Sequence, residues 1–337
     1  MTNDAFSKIT IESDNDSGNP LLKIDTSFRS YLMAYTRSFS NHVVDGVLDY
    51  AFDADFSLRQ KITGLSGWAK LAKAINSQDV TEEAKLLFLK TNQAGSLKYP
   101  EVYETAKKCA ERLELNLPTI FVRDDIDKKI IYSIASDIIE PCIVITKALI
   151  EMCTAEEIQV LIGSECGRIQ NHHCTYNLAY KYFNADNRGF IPVEQSYKQP
   201  VSNQLIYTLA QWVKLADVTA DRAGMICCDE PERYAEIIAG LYEKGYIDFY
   251  GRTMKDLDFE RIVNMAQGIH YSAARDIHVD REATDDEKRI LAAVEFLNCD
   301  LLYNWRSELS SEGLNVINGQ LCDVRCNFIL GTSSAGV

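Results

Sequence analysis

Two long segments free of proline dominate the folding options of this sequence. The first follows Thr154, which with Glu157 three residues later makes a capping box, so that AEEIQVLIGSECGRIQNHHCTYNLAY reads as one long helix. The second follows Ser202: in SNQLIYTLAQWVKLADVTADRAGMICC the apolar residues recur at three and four, and a proline-containing turn at Asp229 to Pro231 ends it. Between them, NADNRGFIPVEQSYKQPV holds a glycine and two prolines and is long enough to be a surface loop or a lid over residues 184–201.

The flanks give the rest of the architecture. Residues 1–22 are polar and acidic, with too little apolar content to offset ordering entropy, and read as a disordered tail; GTSSAGV at the other end reads the same way. Residues 23–97 read as an N-terminal helical extension, with helical periodicity in SYLMAYTRSFSNHVVDGVLDYAF and in TEEAKLLFLKT. YPEVYETAKKCAERLEL is an amphipathic helix with Pro100 in its first turn, where a missing N–H costs little. TIFVRD, KIIYSIAS and PCIVIT are short β-branched runs that predict a small sheet. PERYAEIIAGLYEK and DDEKRILAAVEFLNCDLLYNWRSEL predict further helices. The expected fold is α+β and mostly helical, with residues 98–250 as a core and 251–330 as a C-terminal helical part of the same domain.

Charge and cysteine usage exclude several functions. With 35 basic against 49 acidic residues the formal charge is -14, which repels nucleic-acid phosphates and anionic lipid. No apolar run approaches the roughly 20 residues of a membrane span, and the first residues are not those of a signal peptide, so a cytoplasmic location is expected. The ten cysteines have no framework spacing and read as reduced core thiols.

The order of strands, then LIGSECGRIQNHH, then WVKLADVTADRAG resembles the HtpX-like (CaaX-protease-like) zinc metallopeptidases, soluble branch, over roughly residues 98–245. In that family one helix carries His-Glu-x-x-His and a later helix carries Glu-x-x-x-Asp. Two histidines one turn apart and a glutamate close three sides of a zinc site, water takes the fourth, and the motif glutamate acts on that water as general base. The resemblance therefore implies a zincin-like motif helix against the sheet. It places Glu165 at the general-base position and Ser164, Arg168 and Asp217 at the three zinc-ligand positions. Gly167 and the Ala-Asp-Arg signature at Asp221 and Arg222 are retained, while Tyr132, Ser133 and Ile134 stand where the family often carries Asn-Ala-Phe.

A serine hydroxyl is a poor zinc ligand, aspartate is one methylene shorter than glutamate, and a guanidinium cannot coordinate at all. Arg168 places a permanent positive charge where the ion would sit, so it opposes a metal and is expected to pair with Glu165 or Asp217 instead. The chain thus reads as a pseudopeptidase with no cofactor, holding a protein or peptide partner in a former substrate cleft; the acidic surface favours a basic partner. Two alternatives stay open. One is an active enzyme, either an atypical zinc metallopeptidase with a shifted site of Glu165, His172 and Asp217, since His172 shares a helical face with Glu165 and Arg168, or a hydrolase using another mechanism. The other is a structural subunit whose cleft has closed. Of the remaining candidates, Cys166 and His173 lie about 10 Å apart along a helix, too far for a nucleophile pair. Cys227, Cys228, Cys322, Cys326 and Trp212 read as core.

Overall fold

The computed structural model describes residues 42–44, 46–76, 92–135, 140–184, 202–254, 257–271, 282–312 and 314–332. The chain divides into two units, Met1–Asn41 and His42–Val337, and the described residues all belong to the second. The expected tail over 1–22, the helix over TEEAKLLFLKT and almost all of the 184–201 loop lie outside them.

The described unit begins with a short hairpin, β1 (Val43–Val44) and β2 (Val47–Leu48), turned by Gly46 at φ 81°. This corrects the helix expected over SYLMAYTRSFSNHVVDGVLDYAF, of which the described part is not helical: two Val-rich dipeptides flank an Asp-Gly, a combination that favours a tight turn. Two helices follow, α1 (Asp53–Thr63) and α2 (Trp68–Ile75), then α3 (Pro100–Arg112), which carries Pro100 in its first turn. The three predicted strands are present as β3 (Thr119–Arg123), β4 (Ile131–Ile134) and β5 (Cys142–Thr146). They form a sheet of order β3-β5-β4, with β3 parallel to β5 and β4 antiparallel to it, Ile131 opposite Ile145 and Ile134 opposite Cys142. A short α4 (Lys147–Met152) leads into α5 (Ala155–Gln170).

Helix α5 starts as its sequence dictates. The Glu157 N–H donates to Thr154 Oγ1 at 3.2 Å and the Thr154 N–H donates to Glu157 Oε2 at 2.8 Å, satisfying two otherwise orphaned donors. Its end differs from the single helix expected over 155–180. The chain leaves the helix at Asn171, turns through His172 at φ 57°, and restarts as α6 (Cys174–Asn184). The Asn171 side chain drives the break by donating to the Gly167 carbonyl at 2.9 Å and to Tyr50 Oη at 2.8 Å.

The second long segment is α7 (Asn203–Cys227), capped by Ser202. It crosses α5 at very close range because glycines face it. A Cβ on Gly167 would fall 2.3 Å from Ala223 Cβ, and one on Gly163 would fall 2.5 Å from Cys227 Cβ. The C-terminal part adds α8 (Tyr234–Glu243), α9 (Phe259–Tyr271), α10 (Asp285–Val294), α11 (Asp300–Trp305) and α12 (Gly319–Leu330). The stretch DDEKRILAAVEFLNCDLLYNWRSEL is thus two helices, not one, parted by a tighter turn at Glu295–Asn298 and extended Cys299, which bridges to Ile317. The fold is α+β and mostly helical. An apolar core runs from α2 through β4 and β5 to α6 and α7, with Trp212 fully buried in it. All ten cysteines are free and nine are buried.

Candidate functional site

The central positions of α5 and α7 meet beneath the sheet. Gly163, Gly167 and Gly224 bring the two backbones together, so the side chains of Ser164, Glu165 and Arg168 on α5 and of Asp217 and Asp221 on α7 must share a small volume. Asp217 is completely buried and Glu165 and Arg168 nearly so. Isolated charges cannot remain there, and each one has a partner.

Arg168 joins the two helices. One of its terminal nitrogens donates to Asp217 Oδ1 at 2.7 Å, while its Nε stands 3.4 Å from Glu165 Oε1. The other terminal nitrogen reaches Tyr250 Oη at 3.4 Å, and that hydroxyl donates to Asn177 Oδ1 at 2.6 Å. Asp217 is further surrounded by Arg252, 2.5 Å from Oδ2, and by Arg289, 3.7 Å from the same oxygen. Arg289 also forms a two-pronged pair with Asp221 at 2.7 and 2.8 Å, and Arg252 pairs with Asp248 at 2.5 Å. Burial pushes the Asp217 carboxyl up, but Arg252, Arg289 and Arg168 outweigh it and hold the group well below the ordinary carboxylate range. Glu165 goes the other way. Its burial pushes the carboxyl above the usual value despite the Arg168 charge and the Ser133 hydroxyl, which donates to Oε2 at 2.7 Å.

Set against the sequence expectations, three of the four singled-out residues converge. Glu165, Arg168 and Asp217 form one charge network. Ser164 lines the same cavity, but its hydroxyl donates to the Val160 carbonyl one turn back at 3.0 Å and is 2.6 Å from where a Cβ on Gly224 would be. His172 does not join them. It lies past the end of α5 in a left-handed conformation and is exposed, so the shared helical face expected for Glu165, Arg168 and His172 is absent. A shifted site of Glu165, His172 and Asp217 is therefore not assembled.

The donor set does not fit zinc. Ser164 spends its proton on a backbone carbonyl, Arg168 fills the position between Glu165 and Asp217, and both Asp217 oxygens face guanidinium groups. Among the described residues no three His, Cys, Asp or Glu side chains are placed to hold a metal ion. The open space is a cavity of about 20 Å³ lined by Ser164, Glu165, Arg168, Asp221, Tyr242 and Arg289 among others, room for about one water molecule. Between β4 and α5, the Ser133 hydroxyl donates directly to Glu165 and all of Ile131–Ile134 is buried, so these residues of the two elements are in contact with no groove between them.

Sequence reasoning missed Arg252, Arg289, Asp248 and Tyr250, which come from regions far along the chain and carry no motif. It also missed a second polar cluster. Asp55 of α1, fully buried, accepts from Trp212 Nε1 at 2.6 Å, Thr219 Oγ1 at 2.7 Å, His173 Nε2 at 2.9 Å and Arg59 Nε at 3.2 Å. In the sequence Asp55 stands two residues after Asp53 at the start of a helical stretch, and nothing local tells the buried aspartate from its neighbour.

No family model matches this chain and no solved structure does. Among curated proteins it is similar to "Plastoglobule-localized metallopeptidase 48, chloroplastic" of Arabidopsis thaliana, with 25% identity over 134 residues. The match covers 40% of this chain and only 38% of that protein's length. This is a distant, partial likeness to a metallopeptidase. No helix of the described residues is long and apolar enough to cross a membrane.

Proposed function

We propose that this protein is a pseudopeptidase of HtpX-like descent, in which a guanidinium stands where the resemblance puts zinc, and that it works by binding a protein partner without cleaving it. The observation that carries this reading is the position of Arg168, 2.7 Å from Asp217 and 3.4 Å from Glu165. A fixed positive charge there neutralises carboxylates that an ion would otherwise neutralise, and it excludes a divalent cation from the same volume by direct repulsion. The likeness to a plastoglobule metallopeptidase supports descent from peptidases, and the cysteines, all free, fit a reducing compartment such as the cytoplasm.

Among the described residues the cavity beside Glu165 has room for a water but not for a peptide, which favours partner contact on the outer surface of the fold over capture inside the former cleft. The net charge of -14 favours a basic partner there. The test is hydrolysis of an unfolded protein substrate by the purified full chain, with and without added zinc, beside Glu165→Gln. No cleavage above background in any sample is the expected result. Cleavage that a chelator and Glu165→Gln both abolish would overturn the proposal.

A further inference from the structure

Three of the ten cysteines gather around Arg222, outside the charge network of Asp217. Cys299 stands in extended backbone before α11, and its neighbours pair with Ile317: the Asp300 N–H donates to the Ile317 carbonyl at 2.9 Å and the Ile317 N–H donates to the Asn298 carbonyl at 2.8 Å. That pairing sets Cys299 beside the start of α12, which Gly319 brings in closely, since a Cβ there would fall 2.6 Å from Leu301 Cδ1. Cys322 and Cys326 follow on the inner side of α12, one turn apart. The Cys322 thiol lies between the other two and interacts with both. All three are without exposure, and Arg222, also buried, donates from one nitrogen to Cys326 at 3.3 Å and to Cys322 at 3.6 Å.

We propose that Cys299 and Cys322 are a dithiol that a peroxide converts reversibly into a disulfide, fastening the first turns of α12 to the segment before α11. Spacing selects the pair. Side chains one turn apart on a helix hold their Cβ atoms about 5–6 Å apart, whereas a disulfide needs about 3.5–4.5 Å, so Cys322 and Cys326 cannot close on each other without distorting α12. Cys299 belongs to a different element and meets no such limit. Cys326 is engaged elsewhere, donating to the Ala292 carbonyl at 3.1 Å. The charge of Arg222 beside the sulfurs opposes a metal cation and favours the thiolate through which oxidation starts. At rest the pair is reduced: the Cys299 thiol and burial hold Cys322 well above the ordinary thiol range, against the pull of Cys326 and Arg222. Enclosure restricts the oxidant to a small molecule. The Cys322 thiolate attacks one peroxide oxygen, the O–O bond breaks, and the departing hydroxide leaves as water with the thiol's proton. The Cys299 sulfur then displaces a second water from the resulting sulfenic acid, the S–O bond breaking as the S–S bond forms. Two electrons pass from the two sulfurs to the peroxide, and a thiol reductant reverses the reaction.

The test is peptide mapping of the folded full chain after hydrogen peroxide, with the remaining thiols alkylated before digestion. A Cys299–Cys322 cross-link is expected as the first disulfide to form, removed again by dithiothreitol, with a higher thermal midpoint for the oxidised chain. Cys299→Ser and Cys322→Ser are expected to abolish it, and Cys326→Ser to retain it. A wild type that keeps all ten thiols while still folded, that is oxidised without a cross-link, or that first joins another pair such as Cys109 and Cys227, would overturn the proposal.

Discussion

Helix α7 buries two aspartates completely, or helps to, and treats them in opposite ways. Asp217, on the helix itself, is neutralised by charge: Arg168, Arg252 and Arg289 all approach it, and little else does. Asp55, brought to α7 by α1, is satisfied by hydrogen bonds from an indole, a hydroxyl and an imidazole, with Arg59 as its one cation. Burial pushes the Asp55 carboxyl up, but His173, Arg59 and Thr219 bring it down to about 2. The first arrangement resembles a metal site with the metal's charge redistributed over guanidinium groups. The second is an ordinary polar lock holding the N-terminal helix to the core. The difference teaches that the demand for positive charge belongs to the α5–α7 crossing and not to α7 as a whole.

The largest effect that would separate the two clusters is Asp217→Asn. It leaves three buried guanidinium groups facing a neutral amide and should cost about 4 kcal/mol in chemical denaturation. An effect below that of Asp55→Asn would break the distinction. Arg168→Ala should cost about 3 kcal/mol, less than Asp217→Asn, because the buried bond that ties α5 to α7 is lost while Asp217 retains Arg252 and Arg289. Arg168→His in metal-free buffer should fall between wild type and Arg168→Ala; two neutral variants would mean that the pairing holds nothing together. Asp55→Asn should cost about 2 kcal/mol, since the amide can still accept from some of the four donors but strands the others.

The pH response sharpens the contrast. Burial pushes the His173 imidazole down, against the pull of Asp55, so the neutral ring donates Nε2–H to Asp55 and leaves Nδ1 without a partner. Below the ordinary value of 6.5 the unfolded chain takes up a proton that folded His173 refuses. Stability should therefore fall as pH drops below 6.5, by at most about 1.4 kcal/mol per unit from this residue, and His173→Gln should flatten that part of the curve. Asp55 does not contribute to this window, because its stabilisation is complete above 3.8 and is lost only as pH falls through about 2. Equal slopes for wild type and His173→Gln would refute the assignment. The smallest effect is expected at Glu165→Gln, below about 1 kcal/mol, because burial already favours the uncharged carboxyl and an amide oxygen can still accept from Ser133.

The parts of this molecule that sequence made legible are those set by local chemistry. Thr154 and Glu157 announced the start of α5, Pro100 that of α3, and three β-branched runs became three strands in one sheet. What escaped it was set at a distance. The break at Asn171 depends on Tyr50, more than a hundred residues earlier, and moved His172 off the face that periodicity alone gave it. Arg168 could be matched to Glu165 by spacing and to Asp217 through a family resemblance. Arg252 and Arg289 could not be, because an arginine in a loop or within RILAAV looks like any other until the chain folds. The β1–β2 hairpin was missed because a Val-rich run reads equally well at either period over so few residues.

The central claim, that a guanidinium has taken the ion's place, is tested most directly by elemental analysis of the full chain purified without chelator or added zinc. The account predicts far fewer zinc ions than chains, with no change in Arg168→His alone, since Ser164 and Asp217 still supply no adequate set of ligands. Zinc bound at one ion per chain in the wild type, and lost in Asp217→Asn, would contradict it.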